Sequence, residues 1–262
     1  MLNHTFYPFH MVKSSPWPLY ISSSIFFLML SLLEMMINTA MTPTLFSLTY
    51  LLFSLYGWMK EMTNEGLLGG HHTHLVQKSL KLCMILFITS EVCFFISMFW
   101  SYFYFSVSPS YSIYSWPPTG ISPISPMSIP LLGTLILISS GVTVTHSHFS
   151  LLNQNKKESI NYLHLTSLMA MSFVILQTHE YKETSFSMSD SVYGSSFFLM
   201  TGFHGIHVAI GLIMLIVTSY RLASNHLSHN HHIGYECSIW YWHFVDVVWL
   251  FLYLSVYWWS IF

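Results

Sequence analysis

The chain has 262 residues, of which 53% are hydrophobic, 18% are aromatic and only 7% are charged, with a formal net charge of -2. A soluble domain usually carries roughly 25% charged residues, so this composition excludes an ordinary water-facing surface and predicts a membrane protein. The small net charge provides no basic patch, which excludes nucleic acid as a partner.

Seven hydrophobic segments are long enough to cross a bilayer as helices, since about 20 residues at 1.5 Å each span its hydrocarbon. They run from Trp17 to Ile37, Thr42 to Met59, Ser79 to Phe105, Ile129 to His148, Ile160 to His179, Val192 to Tyr220 and Tyr235 to Trp259. We therefore predict an all-α integral membrane bundle of seven transmembrane helices, of which the second is the shortest.

Two loops interrupt this series of helices. A polar, glycine-containing loop from Gly66 to His74 separates the first two segments from the other five. A longer loop from Ser106 to Ser128 contains five prolines, which prevent a regular helix there. We predict one membrane domain over residues 1–262, with helices one and two in residues 1–65 and helices three to seven in residues 66–262.

The basic residues predict the orientation of the bundle, because loops retained on the side of synthesis carry an excess of Lys and Arg. Seven of the eight fall at the N-terminus or in loops of one side: Lys13, Lys60, Lys78, Lys81, Lys156, Lys157 and Arg221. Only Lys182 falls on the opposite side. This distribution predicts an N-terminus inside, which in a mitochondrion is the matrix, and a C-terminus outside.

Three histidine clusters, predicted to face the same side, raise the possibility of a metal site: His71-His72-Thr73-His74, His146-Ser147-His148 and the stretch from His226 to His232. A membrane oxygenase or desaturase with two irons uses such clusters, and this is the rival hypothesis. The alternative is that they cap helix ends and contact lipid headgroups. The first two clusters lack a histidine pair four residues apart and have few carboxylates nearby, so we expect no metal in this chain.

Several ionisable residues fall in the middle third of the predicted helices, where an uncompensated charge costs at least a few kcal/mol. They are Glu91, His204, His207, His243 and Asp246. Structural packing of polar groups is one interpretation. The other is that some of them form one buried polar network between helices three, six and seven.

Long strings along nearly the whole chain resemble the third subunit of haem-copper cytochrome c oxidases. They are FHMVKSSPWP from Phe9, GHHT from Gly70, MILFITSEV from Met84, WPPTGI from Trp116, VYGSSFF from Val192, TGFHGIHV from Thr201 and WYWHFVDVVWL from Trp240. Because the first two helices are retained, the chain resembles the cytochrome c-oxidising type rather than the quinol-oxidising type.

The resemblance implies a subunit without catalytic residues, haem or copper, packed against the catalytic subunit I that holds those cofactors. Its complex would sit in the inner mitochondrial membrane, pass electrons from cytochrome c to oxygen and move protons. Helices one and two would splay from helices three to seven, and the V-shaped cleft would hold phospholipids. The subunit would stabilise its partners and support proton uptake.

The resemblance also implies roles for individual residues. Lipid contacts are implied for Trp58, Glu65, His72, Arg221 and His226. Asn64 and Ser224 stand where relatives have basic residues, so headgroup affinity is expected to differ here. His10 matches a histidine near the entrance of a proton pathway, and Glu91 matches the family's membrane carboxylate.

Overall fold

The chain forms seven α-helices in the computed structural model, which describes residues 14–39, 41–107 and 115–261. They are α1 (Trp17–Asn38), α2 (Thr42–Leu67), α3 (His74–Val107), α4 (Ile129–Leu152), α5 (Lys156–Glu183), α6 (Val192–Ala223) and α7 (Ile233–Leu252). A π-helical turn, Tyr253–Trp258, and a 3-10 turn, Trp259–Ile261, follow α7. The described residues contain no strand, and the predicted all-α architecture of seven helices is confirmed.

Six of the seven helices are long and apolar enough to cross a membrane. The exception is α2, whose second half contains Lys60, Glu61 and Glu65. As a membrane span, α2 therefore stays a prediction. Helix α5 begins at Lys156 rather than at the predicted Ile160, because its first turn continues beyond the apolar stretch and is charged.

The described residues divide into two compact units, and the boundary between them lies between Leu80 and Lys81. In the first unit, α1 and α2 pack against each other through buried serines. The Oγ atoms of Ser31 and Ser47 lie 2.7 Å apart, and those of Ser24 and Ser54 lie 3.3 Å apart. Small polar residues let helix backbones approach closely in lipid, where apolar side chains gain little by leaving the solvent.

Two further features describe the α1–α2 hairpin: a tryptophan packed on a glycine between the helices, and large apolar side chains on the outer faces. The indole of Trp17 lies directly against Gly57, where any side chain would occupy the same space. Large apolar side chains point outward instead, and Phe26 and Phe46 are 60% and 77% exposed. The contact between α1 and α2 is thus polar and the outer faces of the hairpin are apolar, as expected of helices surrounded by lipid or other membrane helices.

In the second unit, α4, α5, α6 and α7 surround an aromatic core. Trp242 of α7 donates a hydrogen bond from Nε1 to Ser140 of α4 over 2.9 Å, and its ring packs on Gly211 of α6. Trp249 packs edge to face on Phe173 of α5, with ring centroids 4.8 Å apart. These two indoles connect α7 to each of the other three helices.

Helix α3 joins this unit through large aromatic side chains. Phe94 packs on Phe203 of α6 with ring centroids 5.1 Å apart, and Phe95 packs on Phe244 of α7 at 6.1 Å. Rings of this size hold the helix backbones apart, so a polar side chain on α3 reaches its neighbours only if it is long. Glu91 lies one turn before these rings on α3.

Candidate functional site

A carboxylate–imidazole pair joins α3 to α6. Oε2 of Glu91 lies 3.0 Å from Nε2 of His207. The other ring nitrogen of His207, Nδ1, donates to the carbonyl oxygen of Phe203 over 2.7 Å and therefore carries a proton. The contact with Glu91 needs one further proton, on either the carboxyl group or the imidazole. The pair is electrically neutral as a whole in both arrangements, which suits a site within a membrane.

His204 lies one helical turn before His207 but faces a different part of the bundle. Its ring lies between Trp249 and Phe173, with ring centroids 5.1 Å and 5.8 Å away. The side chain is fully buried, and neither ring nitrogen has a hydrogen-bond partner among the described residues. Buried polar groups usually have a partner, so this imidazole is an exception within the bundle.

A second acidic–imidazole pair lies on α7. Oδ2 of Asp246 is 3.8 Å from Nδ1 of His243, and both groups face Gly141 of α4. A Cβ atom on Gly141 would lie 2.9 Å from Oδ2, so this glycine provides the space that the carboxylate occupies. The predicted mid-membrane residues therefore divide into two pairs and one imidazole without a hydrogen-bond partner among the described residues.

A buried carboxyl group that the sequence did not indicate lies near the end of α5. Oε1 of Glu180 accepts a hydrogen bond of 2.6 Å from the hydroxyl of Tyr257, and Nε2 of Gln177 lies 3.4 Å away. Glu180 was missed because the predicted helix ended at His179. The structure continues α5 to Glu183 and so brings Glu180 into the bundle.

The residues with implied lipid contacts in the first unit gather at the end of α2. Trp58 and Glu65 are two helical turns apart on one face of α2, and both are partly exposed. The imidazole of His72, in the loop that follows, packs against Gly66, where an added Cβ atom would lie 2.7 Å from the ring. This arrangement presents a carboxylate, an imidazole and an indole at one end of the α1–α2 hairpin.

In the second unit, Arg221 and His226 meet at the end of α6. The backbone N–H of His226 donates to the carbonyl oxygen of Arg221 over 2.9 Å, and Nζ of Lys156 donates to that of Ala223 over 2.8 Å. Cations near the C-terminus of a helix interact favourably with its dipole. Nη1 of Arg221 would lie 3.0 Å from a Cβ atom added at Gly234, and the buried Nε has no acceptor among the described residues. Two cationic side chains, those of Lys156 and Arg221, therefore lie at this end of α6.

The second and third histidine clusters each contribute one member to a common site. Nε2 of His148 lies 3.1 Å from Nε2 of His232, and Glu236 is adjacent. His146 instead pairs with Glu158 at 3.0 Å. Glu236 was absent from the predicted site because it lies four residues beyond the third cluster. His10 lies outside the described residues.

Comparison with known proteins gives the same family along almost the entire chain. The family model described as "Cytochrome c oxidase subunit III" matches residues 7–261. Proteins named "Cytochrome c oxidase subunit 3" are similar in Osphranter robustus (46% identity), Lycodon semicarinatus (48%) and Paracentrotus lividus (48%). The alignments cover 97–99% of this chain and 98–100% of those relatives.

Proposed function

Because the chain belongs to the cytochrome c oxidase subunit III family, we propose that it is a core subunit of a cytochrome c oxidase complex in the inner mitochondrial membrane. The observation that carries this proposal is the sequence identity of 46–48% with relatives of that name, over nearly the full length of both aligned sequences. Haem and copper would reside in a partner, the catalytic subunit I. This chain would contribute no redox centre and would stabilise that partner.

The surface of the helices supports such a role. Large apolar side chains are exposed along them, including Trp100 (77%), Ile175 (66%) and Ile213 (59%). A membrane helix places such side chains against lipid or against another membrane subunit. We therefore propose that these faces are divided between phospholipid and the other subunits of the oxidase.

We propose further that two groups of residues hold phospholipid headgroups. One is the group at the end of α2, formed by Trp58, Glu65 and His72. The other is Arg221 with His226, where the positive charges of Arg221 and the nearby Lys156 support an anionic ligand. A guanidinium group binds phosphate oxygens with charge-assisted hydrogen bonds, which are about twice as strong as neutral ones.

An Arg221→Gln variant tests the second lipid site. We expect the purified complex to lose about one anionic phospholipid, because the charge and the forked donor are both removed. Native mass spectrometry of the complex would measure this. The matched control is Lys157→Gln, which removes the same charge from an exposed position near the site. Unchanged lipid content in the Arg221 variant would contradict the assignment.

We also propose that His10 supports proton uptake by the catalytic subunit. The support is the family resemblance, together with the tendency of a surface imidazole to titrate near neutral pH. A His10→Gln variant is expected to slow proton uptake by the reconstituted oxidase without changing its haem content. A normal uptake rate would remove this role.

The function as a whole is tested by mild solubilisation of the native membrane and isolation of the complex that contains this chain. The visible spectrum and metal content are then recorded before and after the chain is removed. We expect haem and copper to remain with the residual complex. Absence of a haem-copper partner, with iron leaving on this chain, would instead support the rival membrane oxygenase.

A further inference from the structure

Three potential metal ligands from separate parts of the sequence converge at the end of α4 and the start of α7. His148 lies in the last turns of α4, His232 immediately precedes α7, and Glu236 lies in the first turn of α7. Their ligand atoms all lie within 4.8 Å of one another. This is the one such group of three in the part of the chain that the structure describes.

The spacing of these atoms suits one small cation. Nε2 of His148 and Nε2 of His232 are 3.1 Å apart, and Nε2 of His232 is 3.5 Å from Oε1 of Glu236. Ligands bound to zinc at about 2.0–2.1 Å in a tetrahedral arrangement lie roughly 3.3 Å from one another. Two of the three separations match this value and the third pair of ligand atoms lies within 4.8 Å, so a zinc ion would fit after the side chains move closer together.

The surroundings orient His232 for metal binding. Its Nδ1 lies 3.0 Å from the carbonyl oxygen of Ser228, which can only accept, so Nδ1 carries the proton. In the neutral imidazole, Nε2 then presents its lone pair toward His148 and Glu236. Metal-binding histidines usually have such a partner on the second nitrogen, which fixes the tautomer and the ring.

Glu236 and His148 are held as well. Lys81 of α3 forms an ion pair with Oε2 of Glu236, and this leaves Oε1 as the oxygen nearest His232. The ring of His148 packs edge to face on Tyr235, with centroids 5.6 Å apart. Without a cation, the two facing Nε2 atoms need a shared proton. A cation that accepts both lone pairs would replace that proton.

From this geometry we propose that His148, His232 and Glu236 form a binding site for a divalent transition-metal ion, zinc, that fastens the end of α4 to the start of α7. Two imidazoles and one carboxylate are a known zinc ligand set and leave a fourth position for water. The inference departs from the sequence-based expectation of a metal-free chain. It is independent of the oxidase role, which stands or falls on its own experiment.

The test is zinc binding by the purified complex that contains this chain. The complex is first stripped with a chelator and then titrated with Zn²⁺. The wild type is expected to bind one Zn²⁺ more than the His148→Gln and Glu236→Gln variants at the same free zinc concentration. Loss of an outer-sphere partner typically weakens metal binding 10–100-fold, so we expect loss of a ligand to cost about 100-fold or more.

His146→Gln is the matched control, because His146 lies two residues from His148 but pairs with Glu158. It should bind as much zinc as the wild type. Equal zinc binding by the wild type and both ligand variants would overturn the proposal. If the variants fail to assemble, anomalous scattering at the zinc edge from crystals of the wild-type complex decides the matter. A peak among the three ligands supports the site, and no peak there, or iron in place of zinc, overturns it.

Discussion

At the residue scale, the pair of Glu91 and His207 makes the sharpest prediction. Replacing either residue with Leu leaves the buried His207 or the half-buried Glu91 without its partner, which costs about 1–3 kcal/mol of stability. Replacing both removes the mismatch, so the double variant should lose less than the sum of the two single losses. Thermal unfolding of the solubilised complex measures all three variants. Strictly additive losses would show that the 3.0 Å contact contributes nothing.

Two substitutions control this double-mutant cycle. Ser90→Leu changes an exposed residue of α3 whose hydroxyl bonds only within its own helix, and it should alter stability by less than about 0.5 kcal/mol. Glu91→Gln keeps an amide that can donate to Nε2 of His207, so it should destabilise less than Glu91→Leu. A Gln variant as unstable as the Leu variant would show that the carboxyl group itself is required.

The sequence singled out the predicted mid-membrane residues, but it did not indicate which neighbouring helix His204 and His207 would each contact. Helical spacing places His204 and His207 near one face, yet His207 reaches α3 while His204 points between α5 and α7. A change of one turn along a helix is enough to change the neighbour, and the neighbour depends on packing between helices. Glu180 and Glu236 were missed because they lie at helix ends, where predicted boundaries are least accurate.

At the scale of elements, the α1–α2 hairpin predicts a size limit at Gly57. In a Gly57→Val variant, the new side chain would overlap the indole of Trp17 and cost about 1–3 kcal/mol. Faster hydrogen exchange in peptides from α1 and α2 of the intact complex would report the loosened hairpin. A second substitution, Trp17→Ala, should restore protection by vacating the space.

The control for the hairpin is Thr49→Val, which places the same valine side chain on the exposed face of α2, where it meets no neighbouring helix in the described part of the chain. It should leave hydrogen exchange unchanged. If Gly57→Val behaves like this control, the packing of Trp17 on Gly57 does not limit the hairpin.

The helices themselves were predictable from apolar runs and prolines. The contact of Trp17 with Gly57 joins residues 40 positions apart, and no local pattern indicates it.

At the scale of the whole molecule, the basic residues predict an N-terminus in the matrix and a C-terminus on the opposite side. Single cysteines can test this in a chain whose native cysteines are replaced by Ser. Asn153→Cys marks the loop between α4 and α5, and Ser189→Cys marks the loop between α5 and α6; both positions are exposed. In intact mitoplasts, an impermeant maleimide should label Ser189→Cys only.

Permeabilised mitoplasts supply the control, because both cysteines should then react. Labelling of Asn153→Cys alone in intact mitoplasts would reverse the proposed orientation, and labelling of both would imply an even number of crossings between the two loops.

The family and the number of helices could be predicted from the sequence, because long sequence strings indicate the family and apolar segments indicate the helices. The boundary between the two units, at Leu80 and Lys81, depends on contacts between helices, which composition does not encode.

The serine contacts between α1 and α2 have a consequence for insertion of the chain into the membrane. In the hairpin, the hydroxyls of Ser24, Ser31, Ser47 and Ser54 each lie within hydrogen-bond distance of a carbonyl oxygen of their own helix. Each hydroxyl has one proton, so in each cross-helix pair one hydroxyl donates to its partner while the other donates to its own helix. Each helix can therefore enter the bilayer alone with these hydroxyls already hydrogen-bonded to its own backbone. The two helices can associate afterwards. Neither association nor dissociation of the two helices leaves a hydroxyl without a hydrogen-bond partner. The order in which the two helices are inserted is therefore free to vary.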